Sequence, residues 1–312
     1  DIKINEIQTF KFDKKNFFNT IYSLILIFIS IFKSIFFLFK NKPDLVFGMG
    51  GYSSFPVCIA SRILNIPFIV YENNLHIGKA NKSLIPFAEK IFVSNSELQG
   101  IKEKYNYKIC KIGNIIRHEI LNYRSKIEYD NKKINFLVLG GSQAAKSFAE
   151  KLPKVFEKFK IENIPIKIYQ QCLADQKEVL ISKYRDLGIE CEIFNFTTNI
   201  LKYFSKTNLA ITRSGSSMLA ELLNANIPFI AVPLPTSADD HQLKNAIYYE
   251  KMGYSFLIEE KKLDDELFTL IKSIYLESSK LDRIKVKQSQ YSDKKVFENI
   301  DYEIKDLIHE KN

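Results

Sequence analysis

The sequence predicts an α/β fold of two domains, each a parallel sheet flanked by helices. Three observations lead there. The chain has 312 residues, and at about 150 residues per domain that favours two domains over one. Past Lys42, short β-branched runs alternate with helical patterns, the mark of βαβ units. A strand–loop–helix–strand unit also recurs, closed by Asn-Ile-Pro-Phe-Ile at residues 65–69 and again at 226–230. Composition agrees, since 46% hydrophobic and 26% charged residues exclude disordered and collagen-like chains. A chain this long buries enough surface to need no disulfides. Cys58, Cys110, Cys172 and Cys191 form no CxxC pair, which argues against a zinc site and fits a reducing compartment. The 45 Lys+Arg against 36 Asp+Glu leave +9, which points to anionic partners without choosing among nucleic acid, phosphorylated substrates and lipid.

The elements follow in order. Residues 17–39 are the most apolar window and long enough to span a bilayer. No small-residue cleavage site follows, which disfavours a secretory signal. Ser23, Ser30, Lys33 and Ser34 interrupt the run, and Lys14, Lys15, Lys40 and Lys42 flank it. An interfacial amphipathic helix meeting anionic headgroups fits those interruptions better than a span, and a plain core helix is the alternative. Asp44–Phe47 is a strand entering the Gly48–Tyr52 loop, a helix covers 56–64, and 65–71 is the next strand. Ile134–Leu139 enters Gly140-Gly141-Ser142-Gln143 and a helix carrying Phe148, Leu152 and Phe156. In the second copy of the unit, 208–212 is a strand, Arg213–Ser216 its turn, 217–223 a helix and 226–232 a strand. Charged residues 123–133 mark the boundary, giving domains 1–131 and 132–295. A final helix in 296–312 carries one apolar face, a candidate to cover the first domain.

Three glycine- or serine-rich loops thus lie where a strand ends and a helix begins. There, free helix N–H groups and the helix dipole favour an anion such as phosphate. Each loop alone is equally a tight turn with Ser capping a helix. None is GxGxxG or GxxxxGK[ST], and no G-x-S-x-G elbow occurs. Glu72-Asn73-Asn74 closes a strand, Arg117 follows a turn, and Glu221 lies on the helix after Ser216, each also readable as ordinary surface polarity. Asp239-Asp240-His241 could offer metal ligands, but adjacent side chains on a helix or turn diverge and no metal is expected. Nucleic-acid binding rests on charge alone.

Taken together and in order, these motifs resemble the MurG family of bacterial peptidoglycan glycosyltransferases. The matching runs are Asp44-Leu-Val-Phe-Gly-Met-Gly-Gly-Tyr52, Glu72-Asn-Asn74 with Gly78-Lys-Ala-Asn81, Gly113-Asn-Ile-Ile-Arg117 and Leu139-Gly-Gly-Ser-Gln143. Arg213-Ser-Gly-Ser216 with Ala220-Glu221, and Val232-Pro-Leu-Pro235 with Asp239-Asp-His-Gln-Leu-Lys-Asn245, continue the series. The resemblance implies a GT-B fold, two Rossmann-like parallel-sheet domains facing across a cleft. It also implies transfer of N-acetylglucosamine from UDP-GlcNAc, with inversion, to an undecaprenyl-diphosphate-linked muramoyl-pentapeptide, at the cytoplasmic face of the inner membrane and without a cofactor. Gly48, Gly50, Gly51 and Tyr52 would hold the acceptor diphosphate. Asn74, Arg117 and Ser142 would contact the donor, the last two near its phosphates. Thr197 would meet the uracil through its backbone, Ser216 and Ser217 the diphosphate, Glu221 the ribose, and His241 and Gln242 the sugar hydroxyls. The family's Glu-Gln-Asn is here Glu72-Asn73-Asn74. Its opening strand and Gly-Gly-Thr-Gly-Gly-His loop have no counterpart after Asp1, so the resemblance implies an N-terminally truncated member of impaired activity. The general-base histidine is then missing and the catalytic residue unassigned. Another GT-B lipid glycosyltransferase, or a non-catalytic UDP-sugar-binding module, would share the same donor half.

Overall fold

The computed structural model describes residues 4–10, 16–95, 97–127 and 133–309; the side chains of 17, 142–145 and 309 lie outside that description. Two compact units result. The first combines Asp1–Asn114 with Lys295–Asn312, and the second is Ile115–Lys294. The 131/132 boundary expected from the sequence falls in 128–132, outside the described residues. The described residues just before it are strapped to the second unit: Ser125 N–H donates to Ala225 O at 2.8 Å and Arg124 reaches Leu223 O at 3.4 Å.

In the first unit, α1 (Phe17–Asn41) precedes β1 (Val46–Gly48), α2 (Gly51–Ile63), β2 (Phe68–Glu72), α3 (Lys79–Leu84), β3 (Ile91–Val93) and β4 (Ile109–Lys111). The four strands form one parallel sheet in the order β1-β2-β3-β4. Cys58, Phe68, Val70, Leu84 and Ile91 form its dry centre. α2 opens at Gly51, ahead of the expected start at Pro56, because Gly50 at φ 84° and ψ 178° takes a backbone that side-chain-bearing residues avoid and ends the loop there. α1 begins where Asn16 Oδ1 accepts from Asn19 N–H at 2.8 Å. It packs on α2 with Ser23, Ser30, Ser34 and Leu38 buried, while Phe18, Tyr22, Ile25, Ile29, Phe32, Phe36 and Phe39 stay exposed at steps of three and four. By length and composition it could cross a membrane.

In the second unit, α4 (His118–Leu121) precedes β5 (Ile134–Leu139), α5 (Gly141–Ile161), β6 (Ile166–Gln171), α6 (Lys177–Asp186), β7 (Glu190–Phe194), α7 (Leu201–Phe204) and β8 (Leu209–Arg213). Then come α8 (Ser216–Asn224), β9 (Phe229–Val232), α9 (His241–Lys251), β10 (Phe256–Leu257), α10 (Leu263–Leu276) and α11 (Ser279–Ser289). The parallel sheet runs β7-β6-β5-β8-β9-β10, which in chain order is the Rossmann arrangement 3-2-1-4-5-6. Phe136, Phe148, Phe156, Phe159 and Tyr184 pack between this sheet and its helices. α12 (Val296–His309) then returns to the first unit. There Lys90 meets Glu303 at 2.7 Å and Asp306 at 2.8 Å, and Asn299 Nδ2 donates to Ile112 O at 2.9 Å.

The repeated Asn-Ile-Pro has a local cause. Asn65 and Asn226 adopt φ 55° and 57°, a left-handed turn that Asn tolerates better than most residues. In both places the following Ile N–H reaches back to the helix, Ile66 to Ser61 O at 2.9 Å and Ile227 to Leu222 O at 3.1 Å. This closes a Schellman motif. The Pro carbonyl then accepts from the neighbouring strand, Val46 N–H to Pro67 O at 3.0 Å and Ala210 N–H to Pro228 O at 2.9 Å. Asn163-Ile164-Pro165 makes the same turn between α5 and β6, with Asn163 at φ 55° and Ile134 N–H on Pro165 O at 3.0 Å. Proline fits because its missing N–H falls before the strand's ladder begins.

Candidate functional site

In the second unit the strand order reverses between β5 and β8, and open parallel sheets bind ligands outside the carboxyl ends at such a point. Leu139 pairs with Thr212, whose Oγ1 also donates to Leu139 O at 3.3 Å, so α5 and α8 spring from adjacent strand ends. A Cβ built on Gly141, at φ 64°, or on Gly215 would meet nothing within 4 Å. An anion can therefore approach both backbones, where the helix dipoles favour negative charge. Ser216 is half-buried and Ser217 exposed in the first turn of α8. Ser142 follows Gly141 in α5, and its side chain lies outside the described residues.

One turn further along α8, Glu221 is buried, and Arg117 clamps it with a two-pronged pair. Arg117 Nε lies 2.9 Å from Oε1, and a terminal nitrogen 2.5 Å from Oε2. That hydrogen bonding holds the guanidinium above its ordinary value, against the opposing effect of burial. The sequence reading placed these two residues at different parts of one ligand; the structure joins them directly.

The loop between β8 and α8 is fixed from below. Arg213 is buried, lies 2.5 Å from Glu260 Oε2 and stacks 4.5 Å above the Phe148 ring, and burial lowers its proton affinity. Asn245 of α9 donates to Ser214 O at 3.2 Å, tying the start of α9 to the same loop. There Gln242 Oε1 accepts from Leu234 N–H at 3.0 Å. His241 Nδ1 lies 2.6 Å from Ala238 O, a carbonyl that can only accept, so Nδ1 carries a proton. Thr197 follows β7, its Oγ1 accepting from Asn199 N–H at 3.1 Å, beside Phe196, which is 82% exposed.

In the first unit the loop after β1 lies against the end of β2. A Cβ on Gly50 would stand 2.7 Å from Tyr71 O and 3.3 Å from Asn81 Nδ2, and Gly51 has φ 72°. Gly48 is equally tight, its Cβ position 2.7 Å from Cys58 Sγ, while Tyr52 is exposed at the start of α2. Beneath the loop, buried Glu72 accepts four hydrogen bonds. Oε1 takes Asn74 N–H at 3.0 Å and Asn74 Nδ2 at 3.1 Å; Oε2 takes Gly78 N–H and Asn81 Nδ2, both at 2.9 Å. Asn74 is thus oriented by Glu72. Glu72 and Asn81 were visible in the sequence as motif members, without a role. Among the described residues no group of three or more His, Cys, Asp or Glu could hold a metal ion.

Residues 135–301 match the glycosyltransferase family 28 C-terminal domain and residues 1–93 the family 28 N-terminal domain. The UDP-N-acetylglucosamine–N-acetylmuramyl-(pentapeptide) pyrophosphoryl-undecaprenol N-acetylglucosamine transferase of Pelagibacter ubique is 35% identical over 292 residues, covering 92% of this chain and 80% of that protein. The Rickettsia bellii protein of the same name is 32% identical over 263 residues, covering 81% of this chain and 74% of its own. Among solved structures, Acinetobacter baumannii MurG superposes with a TM-score of 0.73 at 24% identity, covering 97% of this chain and 83% of that one. The S. aureus MnaA–UDP structure gives 0.69 at 14%, covering 92% and 82%. At those identities the two structures speak for the fold alone.

Proposed function

This chain belongs to glycosyltransferase family 28, and on that premise we propose how its two units divide the work. It is a UDP-GlcNAc-dependent N-acetylglucosaminyltransferase of peptidoglycan synthesis, adding N-acetylglucosamine to the undecaprenyl-pyrophosphoryl N-acetylmuramyl-pentapeptide lipid, lipid I to lipid II. The observation that supports the donor assignment is the pair of uncrowded helix N-termini at the β5/β8 reversal, with buried Glu221 one turn along α8.

In this reading the second unit takes the nucleotide sugar. The N–H groups at Ser216 and Ser217, with the backbone at Ser142, receive the diphosphate, and Arg117 adds positive charge beside it. Glu221 accepts from the ribose, the backbone at Thr197 meets the uracil, and Gln242 and His241 bind the GlcNAc hydroxyls. In the first unit Asn74 contributes to the donor, and the loop of Gly48, Gly50, Gly51 and Tyr52 holds the acceptor diphosphate. The acceptor hydroxyl attacks the anomeric carbon with inversion as UDP leaves, and fixed N–H dipoles stabilise the charge growing on the departing diphosphate. The exposed apolar face of α1, with exposed Lys33, Lys40 and Lys42 beside it, holds the chain peripherally on the anionic cytoplasmic face of the inner membrane. Nothing beyond the net charge of +9 speaks for nucleic acid as a partner.

The test combines calorimetric binding of UDP with transfer of radiolabelled N-acetylglucosamine from UDP-GlcNAc to the undecaprenyl-linked acceptor. Saturable UDP binding and a labelled lipid-linked disaccharide are expected. Absence of UDP binding, or conversion of UDP-GlcNAc to its 2-epimer in place of transfer, would overturn the reading.

A further inference from the structure

The geometry points to Arg117 as the positioning residue for ribose recognition, acting through Glu221. This rests on the reading of Glu221 as the ribose acceptor. A buried carboxylate is costly unless it is paired. Among the described residues the Glu221 carboxylate hydrogen-bonds with Arg117 alone, which occupies both of its oxygens from one planar fork. Such a two-point contact fixes the plane of the carboxylate as well as its charge. Each oxygen keeps a further lone pair, and two such acceptors held side by side suit the paired 2′ and 3′ hydroxyls of a ribose.

Arg117 is itself held in place. It stands at the start of α4, which packs on α8. The chain then runs alongside the end of α8: Arg124 donates to Leu223 O at 3.4 Å and to Asn224 O, and Ser125 N–H to Ala225 O at 2.8 Å. Arg124 also donates to Tyr291 O at 2.7 Å. The segment 117–125 is therefore a strap along the helix whose N-terminus faces the proposed diphosphate, and Glu221 is where the strap grips its middle. A residue acting only on phosphate would have no need to spend two of its five N–H groups on a carboxylate.

The experiment measures binding of UDP and of 2′-deoxy-UDP to the full chain by calorimetry. Loss of a hydrogen bond to a charged group should make wild-type protein prefer UDP by about tenfold to a hundredfold. Arg117→Ala and Glu221→Gln should each bring that preference close to one, and the double variant should lower it no further. Arg117→Lys, which restores charge but reaches one oxygen, should recover part of it. If Arg117→Ala weakens both ligands equally and the preference survives, Arg117 acts on phosphate and the inference is overturned. Should Arg117→Ala fail to fold, an unchanged preference in Arg117→Lys overturns it as well. A wild-type preference of one would remove the ribose reading of Glu221, and the inference with it, while leaving UDP binding to stand by itself.

Discussion

Replacing Glu72 by Gln changes one oxygen of a buried carboxylate into an NH2 group and alters little else in shape. Glu72 accepts four hydrogen bonds, two from backbone N–H groups and two from the amides of Asn74 and Asn81. A glutamine can serve the Asn74 pair or the Gly78–Asn81 pair, and whichever pair faces its NH2 loses that acceptor, Asn81 Nδ2 keeping its bond to Tyr71 O at 3.0 Å. Each partner so lost costs about 1–3 kcal/mol, so the first unit should lose about 2–6 kcal/mol. Asn74→Ala is the control, because it removes one side-chain donor and leaves the carboxylate; about 0.5–1.5 kcal/mol is expected. The chain has no Trp, so urea unfolding is followed by far-UV circular dichroism, and the two units are fitted as separate transitions. At a slope of about 2 kcal/mol per molar urea, the midpoint of the first unit should fall by roughly 1–3 M with its slope unchanged. A Glu72→Gln midpoint no lower than that of Asn74→Ala would refute the reasoning, because it would mean the carboxylate is not what holds this corner together.

Gly50→Ala asks a side-chain-bearing residue to adopt φ 84° and ψ 178° with its Cβ 2.7 Å from Tyr71 O. A cost of order 1–3 kcal/mol from the backbone alone is expected. It should appear as a lower Tm and a KM for the lipid acceptor raised more than that for UDP-GlcNAc, and unchanged values would contradict it. Burial pushes the Cys58 thiol up to about 12, so at pH 8.5 a thiol reagent should leave Cys58 unlabelled until urea unfolds the first unit. The folded thiol keeps its proton above the unfolded value of about 8.5, so its contribution to stability is complete below that pH and declines as pH climbs towards 12; mass-spectrometric detection of rapid native labelling would count against this. For the proposed lipid contact, the pair Phe28→Asp and Phe32→Asp removes two exposed rings, 69% and 68% accessible, each worth about 1.5–3 kcal/mol when buried. Flotation with anionic vesicles should drop more than tenfold, and equal flotation of variant and parent would exclude α1 as the contact.

Much of the framework was legible because its signals are short-range. β5 occupies 134–139 as expected, and α12 begins at Val296, where the apolar face begins. The repeated Asn-Ile-Pro reported two equivalent turns, and the third at Asn163 escaped notice only because the strand after it continues Ile-Lys-Ile in place of Phe-Ile. The carboxylate pocket of Glu72 draws on residues within nine positions, yet a linear reading cannot say that the turn folds Gly78 and Asn81 back onto one side chain. The Arg117–Glu221 pair was beyond reach altogether, since 104 positions separate its members and nothing in either neighbourhood signals the other. The start of α2 was missed because Pro usually opens a helix, whereas here Gly50 sets the first turn and Pro56 sits inside.

α1 shows why burial and hydrophobicity must be argued separately. Its inward side is made of Ser23, Ser30 and Ser34, whose hydroxyls return to carbonyls of the preceding turn: Thr20 O at 2.9 Å, Leu26 O at 2.9 Å and Ser30 O at 2.8 Å. Small side chains satisfied within their own helix let α1 approach α2 closely without stranding a polar group, the way small residues serve helix pairs in lipid. Its outward side is a stripe of large aromatic and aliphatic residues, the reverse of what water selects. For the proposed peripheral arrangement the two faces answer to two different neighbours. A spanning arrangement would take α1 out of its packing against α2 and carry Lys33 into hydrocarbon. In the proposed flat arrangement the helix pair stays intact, Lys33, Lys40 and Lys42 remain at headgroup level, and the exposed stripe enters the apolar edge of the bilayer.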